Sequence, residues 1–466
     1  MKIRKILRDF SYSISSNLIS LAVSTLVVLI VPKFIGVTEY GYWQLYIFYT
    51  NYVGVLHFGW LDGIYLRYGG YHYRDLDRPT FFSQFIQFLI FELFFCLILV
   101  SVGLSSNSPE NQYIIVSTAF AMVLINLMQF FLYILQDTNR IREYAIVTTI
   151  GRILYFVGVL FCLVVGIKSF QEYIVADLIG RAIALLYAIY TCREIVFLKL
   201  TYFNASLKET WLNLSVGVKL LIANFASNLI IGVVRYGIQL HWGVRVFGKV
   251  SLTLNISSFL MTFISAISLV LYPVLRRMNE ERLRKVYSVI KTLLIFVLLL
   301  GLFVYYPLNW ILPIWLPKYG EALKYMAILF PMCVYSGKFS LLIVTFMKTY
   351  RLERKLLIVN LLILALSLVL TMFNVFILKN LTLTMVSMIV ILWFQSTLGE
   401  VVLERSIGIK RSHGLLLETI VVALFMAGNY LIGGLGSLLG YLVVVIVYFK
   451  LNQRKIVKGV RVLMNH

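Results

Sequence analysis

Runs of about twenty apolar residues alternate with short basic patches some fourteen times between Lys2 and Arg461 of this 466-residue chain. A hydrocarbon core about 30 Å thick takes roughly 20 apolar residues per helix. Backbone that is not internally hydrogen-bonded cannot face lipid, so a chain with this pattern folds as a bundle of spanning helices. Composition agrees: 61% of residues are hydrophobic and 13% charged, with a mean hydropathy of +0.89, far from a soluble domain. The pattern predicts an all-α integral membrane protein of about fourteen spans, over 12–31, 41–60, 81–103, 113–135, 144–167, 173–192, 211–234, 247–272, 286–306, 322–347, 356–378, 383–403, 415–432 and 435–449. Gly433, Gly434 and Gly436 mark a tight turn or a break within one long segment.

The net charge of +22 raises the question of nucleic acid, and its distribution answers it. Alternate connections, beginning with the N-terminal segment, hold 29 of the 42 Lys and Arg residues. Positive residues near span ends stay cytoplasmic, so both termini are expected in the cytoplasm. The basic patches read as topology signals that also touch anionic lipid heads; no nucleic acid is expected. The first helix reads as retained, since no small-residue cleavage site follows it.

Cys96, Cys162, Cys192 and Cys333 lie scattered in apolar runs without metal or redox spacing, and read as packing residues. HExxH and paired CxxC motifs are absent, and no metal or cofactor is expected. Gly243 to Lys249 matches GxxxxGK, but Val250 stands where a P-loop needs Ser or Thr for magnesium. No connection exceeds about twenty residues, and the outer-loop acids Glu39, Glu110, Glu172 and Glu321 are isolated. A transporter is expected, not an enzyme.

The long connections 193–210 and 273–285 bracket spans seven and eight, and the first reads as a seam between two six-helix lobes. The expected division is 1–205, 206–405, and 406–466 for two appended helices and a basic tail. Transporters built from repeated halves bind substrate at the junction. Polar patterning supports that arrangement. Ser13, Asn17, Ser20 and Ser24 fall within about 60° on span one at 100° per residue. Asn213, Gly217, Asn224, Asn228 and Arg235 form a similar strip on span seven, and Ser251, Asn255, Ser258, Thr262 and Ser265 one on span eight. Span two adds Gln44, Asn51 and Asp62 on one side and Tyr42, Tyr46 and Tyr49 on another. Such residues can glue helices together; their recurrence on the first two helices of each half points to one hydrated cavity.

A charge at mid-bilayer costs on the order of 3 kcal/mol, so each needs a partner or water. Asp177 and Arg181 are four apart and can pair on one helix face. Arg152 has no local acid, and could pair with Asp177 or Glu92 or project into the cavity. Lys219 can snorkel to the surface. Lys338 sits mid-span with no acid close in sequence. Arg235, His241, Arg245 and Lys249 cluster at the outer ends of spans seven and eight, against the charge rule. Unpaired cations outnumber unpaired acids in or near the spans, which favours an anionic or phosphate-bearing substrate.

Two segments carry a family resemblance. One is Pro32-Lys-Phe-Ile-Gly36-Val-Thr-Glu-Tyr40-Gly41-Tyr-Trp-Gln44-Leu; the other runs from His57-Phe-Gly59-Trp-Leu-Asp62-Gly63 through Arg67 to Gly70. Both resemble the polysaccharide-biosynthesis, O-antigen-type flippases of the multidrug/oligosaccharidyl-lipid/polysaccharide (MOP) exporter superfamily. The resemblance implies two MATE-like lobes around a cavity open alternately to each side of a bacterial inner membrane. It also implies a polyprenyl-(pyro)phosphate-linked oligosaccharide as substrate and other polysaccharide-assembly proteins as partners. Fourteen spans instead of twelve resembles the lipid II flippase branch.

On this expectation Arg235 and Arg245 engage the head group near the outer mouth, with Arg152, Arg181 and Lys338 deeper. Asn17, Asn51, Asn224, Asn228, Asn255, Tyr42, Tyr46 and Tyr49 meet the sugars. Asp62, Arg67 and Asp177 serve gating or coupling. The alternative is a cation-coupled multidrug or small-solute exporter of the same superfamily, for which Asp62 and Asp177 are the candidate acids.

Overall fold

The structure is a computed structural model. It describes residues 2–464 apart from 260, 262–263, 265–270, 272–274, 276–277 and 410–413, and for 2–15, 322–323 and 458–464 the backbone alone. The expected positions Thr262 and Ser265 lie outside the described residues, as does the side chain of Ser13. Among the described residues the chain is helical throughout, with no strand. Twelve helices among the described residues are long and apolar enough to cross a membrane. Two of the expected spans are not separate members of that set. Span two is interrupted, and spans seven and eight are counted together although a break at Gly243 separates them; the second then enters the undescribed stretch.

The chain divides into two compact units, Met1–Phe225 and Ala226–His466. The first holds α1 (Lys2–Phe34), α2 (Val37–Thr50), α3 (Trp60–Tyr68), α4 (Arg78–Leu104), α5 (Pro109–Asp137), α6 (Ile141–Val165), α7 (Phe170–Thr191), the single turn α8 (Arg193–Val196) and the start of α9 (Leu207–Ser257). Helix α5 is central, packing on α2, α3, α4 and α7, while α6 lies between α1 and α7. Phe85, Phe88, Phe130 and Phe131 are buried between α4 and α5 beside Trp60. In lipid such contacts act through close packing, not water release, and aromatic pairs contribute about 0.5–1.5 kcal/mol each.

Span two breaks because its sequence cannot continue the helix. Helix α2 ends at Thr50, a 3₁₀ turn covers Val53–His57, and Phe58 and Gly59 take left-handed φ values of 49° and 89° before α3 begins. Gly59 and Gly63 then bring α3 against the backbone of α9. A methyl at Gly63 would collide with the Asn213 carbonyl, and one at Gly217 with the Gly59 carbonyl. Helices approach this closely in membranes only through small residues.

The second unit continues with the rest of α9, which departs from helical geometry at Gly243 (φ 76°, ψ 178°). Then follow α10 (Glu280–Gly301), α11 (Tyr305–Trp315), α12 (Gly320–Leu329), α13 (Met332–Gly337), a π-helical stretch Lys338–Val344, α14 (Thr345–Thr349), α15 (Glu353–Met372), α16 (Leu381–Ile407), α17 (Gly414–Ala427) and α18 (Gly434–Met464). Gly433 and Gly434, at φ 65° and 59°, form the turn into α18. Tyr441 on α18 packs edge-to-face with Phe425 of α17 at 5.0 Å and donates to the Leu299 carbonyl of α10 at 2.7 Å. The last two helices are therefore built into this unit. All four cysteines are buried and unpaired.

Candidate functional site

In the first unit the predicted residues converge at mid-helix on α2, α6 and α7. Gly151 and Gly158 on α6 face Gly180 and Ala176 on α7, so closely that an added Cβ at Gly180 would lie 2.9 Å from the Gly151 carbonyl. That approach sets Arg152 and Tyr155 beside Asp177 and Arg181. The Tyr46 hydroxyl and the Arg181 Nε both donate to Asp177 Oδ2, each at 2.7 Å. Asp177 is thereby satisfied, and the expected Asp177–Arg181 pair is present. Arg152 remains exposed, within electrostatic reach of Arg181 and Asp177 but without an ion pair of its own among the described residues. Glu92, its other expected partner, accepts from the Asn126 amide at 3.0 Å on both oxygens. Two guanidinium groups and one carboxylate leave this cluster one positive charge in excess.

The break in span two encloses a second constellation. His57 Nδ1 accepts from the Gly59 N–H at 3.1 Å, so its Nε2 is turned toward Asp62 Oδ2, 3.8 Å away. Both residues are buried. Arg67 is a fastener: it meets Glu209 at 2.7 Å and donates to Asn213 Oδ1 at 2.5 Å, and Tyr68 donates to Glu209 at 2.8 Å. Gln84 continues the chain, accepting from Trp60 Nε1 at 2.9 Å and the Asn213 amide at 3.1 Å. These bonds clamp α3 and α4 to the start of α9.

The polar strips divide. Asn17 and Ser24 on α1 are exposed, whereas Ser16, one position off the strip, is buried against Thr148 and Thr149 of α6. On α9, Asn213 and Gly217 are consumed by the α3 contact, while Asn224 and Asn228 are exposed. Asn51 caps α2 and is exposed. Tyr42 packs on Phe170 at 5.0 Å and Tyr49 on Phe48 at 5.8 Å, both half-buried.

In the second unit Arg235 donates to Ser251 at 2.9 Å and lies 5.3 Å from the Phe247 ring centroid. Arg245 is exposed and Asn255 half-buried. Lys249 donates to Glu321 at 2.6 Å and so holds that exposed carboxyl below the usual carboxylate range.

Lys338 is not the isolated cation that local sequence suggests. It pairs with Glu400 at 2.6 Å and Glu418 at 2.7 Å, carried by α16 and α17. Lys291 of α10 pairs with Glu404 at 2.6 Å and also with Glu400, and Tyr287 donates to Glu404 at 3.3 Å. The balance of unpaired cations expected from sequence is corrected at this point. The partners come from helices far away in the chain, which helix phase on one span cannot reveal. Glu400 and Glu404 stand four apart on one face of α16, and Lys291 lies inside an expected span; that spacing was the available signal.

No family model matches the sequence, and no curated protein matches it. Solved structures do match. One is an inward-facing multidrug resistance MATE family transporter of the MOP superfamily, at TM-score 0.60 and 14% identity over 88% of this chain and 98% of that one. Another is the lipid II flippase MurJ in an inward closed conformation, at 0.55 and 14% over 95% and 99%. MATE in complex with MaL6 gives 0.53 and 14% over 88% and 95%. The chain has the MATE-like fold of MOP superfamily transporters. At this identity the likeness is one of fold.

Proposed function

We propose that the protein is a flippase that carries a polyprenyl-(pyro)phosphate-linked oligosaccharide from the inner to the outer leaflet by alternating access. The observation that carries this reading is the surplus positive charge at mid-helix on α6 and α7. Arg152 lies exposed beside an Arg181–Asp177 pair that already satisfies itself. An unpaired guanidinium at that depth needs water or an anion, and a phosphate oxygen pair fits its donor fork. Arg181 and Tyr46 hold the acid that would otherwise neutralise Arg152. Asn17, Asn224 and Asn228 supply exposed amides for sugar hydroxyls, with the lipid tail left in the bilayer. Arg235 and Arg245 meet the head group as it leaves, and Arg67 holds the clamp that gating must release. The setting is a bacterial inner membrane alongside other polysaccharide-assembly proteins, as the motifs around Gly36 and Gly59 suggest.

The likeness to MATE multidrug transporters, with buried Asp62 beside His57, favours a second reading as a cation-coupled small-solute exporter. One assay separates the two. Vesicles reconstituted with the protein and a lipid-linked oligosaccharide are probed from outside with a membrane-impermeant sugar-modifying reagent. The flippase reading expects all of the glycan lipid to become accessible, against about half in protein-free vesicles. Accessibility that stays at half, with drug efflux intact, would favour the exporter.

A further inference from the structure

Five ionisable side chains of the second unit meet in one buried cluster, and their charges do not cancel. Lys291, Lys338, Glu400, Glu404 and Glu418 are each at most 8% exposed. Fully ionised, three carboxylates and two ammonium groups leave one negative charge enclosed in spanning helices, where an uncompensated ion is costly. We propose that the cluster is a one-proton site and that Glu418 is the carboxylate that takes up and releases the proton.

Geometry selects Glu418. Glu400 bridges both lysines, and Glu404 has Lys291 and the Tyr287 hydroxyl. Glu418 has Lys338 alone, the fewest partners of the three carboxylates, and its Oε1, like Glu404 Oε2, is buried without a hydrogen-bond partner among the described residues. The other titratable groups facing it are the phenols Tyr335 of α13 and Tyr448 of α18, within electrostatic reach and neutral. A monovalent metal ion is a poor occupant, because the two ammonium groups already stand where its coordinating oxygens point. A proton adds to Glu418 Oε1 and brings the cluster to zero net charge, leaving the Lys338–Glu400 and Lys291–Glu404 pairs in place. The path for it is short. Glu404 is three residues from the end of α16, roughly 4–5 Å of helix rise. The π-helical stretch that presents Lys338 is a geometry that recurs at functional sites. The proposal stands on this unit alone and does not depend on which substrate is carried.

Infrared difference spectra of the full chain in lipid, titrated in pH in H₂O and D₂O, read protonated carboxyl groups directly by their carbonyl stretch. The wild type is expected to show a titrating carboxylic band that is lost in Glu418→Gln and kept in Glu92→Gln, the control for the buried carboxylate of the first unit. Glu418→Asp keeps the titrating group and is expected to displace the band. Identical carboxylic bands in wild type and Glu418→Gln would overturn the proposal. Should Glu418→Gln fail to fold, an undisplaced band in Glu418→Asp would overturn it equally.

Discussion

Replacing Gly63 by alanine adds one methyl group where α3 meets α9, and the structure says what that costs. The added carbon would overlap the Asn213 carbonyl, a backbone atom that no rotamer change can move. Restoring ordinary contact requires the helices to part by about 1.5–2 Å. At that separation Arg67–Asn213, now 2.5 Å, and Asn213–Gln84, now 3.1 Å, pass beyond hydrogen-bond range. Overpacking alone costs about 1–3 kcal/mol, and each interhelical hydrogen bond in a membrane adds about 0.6 kcal/mol. Gly63→Ala should therefore destabilise by about 2–4 kcal/mol. Gly440 on α18 is the control, since no atom lies within 4 Å of its added Cβ. Gly440→Ala should be neutral or gain up to about 1 kcal/mol from helix propensity. Thermal unfolding of the purified variants in detergent, followed by tryptophan fluorescence, measures the difference. Equal melting temperatures would refute the close approach, and with it the account of why span two is broken at Gly59.

Other perturbations probe the charged clusters. Lys338→Met strands the buried Glu418 carboxylate and leaves Glu400 with Lys291 alone; it should cost about 3–5 kcal/mol, while Lys338→Met/Glu418→Met, which removes a pair, should recover most of that in the same melting assay. Tyr46→Phe removes a hydrogen bond to a buried carboxylate, worth about 1.5–3 kcal/mol; a melting temperature equal to wild type would contradict it. Arg152→Ala should leave stability within about 0.5 kcal/mol and abolish glycan flipping, whereas intact flipping would remove Arg152 from the proposed path. Lys249 lowers the Glu321 carboxyl, so their contact is complete at neutral pH and lost only as pH falls through a value below the ordinary carboxylate range. A Glu321 carboxyl resonance titrating at or above the ordinary value would contradict that pairing.

Much of the architecture is written in hydropathy, because lipid imposes helix length directly. The turn at Gly433 and Gly434 and the i,i+4 pair Asp177–Arg181 were legible for the same reason: local spacing determines both. Long-range partners were not. Lys338 finds Glu418 eighty positions away, and only the packing of α13, α16 and α17 brings them together. Helix phase also placed Asn213, Gly217 and Asn224 on one strip without showing that a neighbouring helix covers the first two. In the segment from His57 to Gly63, helix phase marked only Asp62; the glycines stood out through family resemblance. Read physically, Gly59 and Gly63 are spaced for backbone contact, and Gly217 on α9 is the matching surface.

Transport of a glycan requires water to reach the polar strips at membrane depth, which thiol chemistry tests directly. The four native cysteines are buried. Asn17→Cys and Asn224→Cys, in vesicles treated with a membrane-impermeant thiol reagent, should label quickly and be protected by lipid-linked oligosaccharide. Their neighbours Leu18→Cys and Ile222→Cys, at sites 54% and 43% exposed, should stay unlabelled because lipid covers them. Labelling of all four alike, or of none, would contradict a hydrated transport path along α1 and α9.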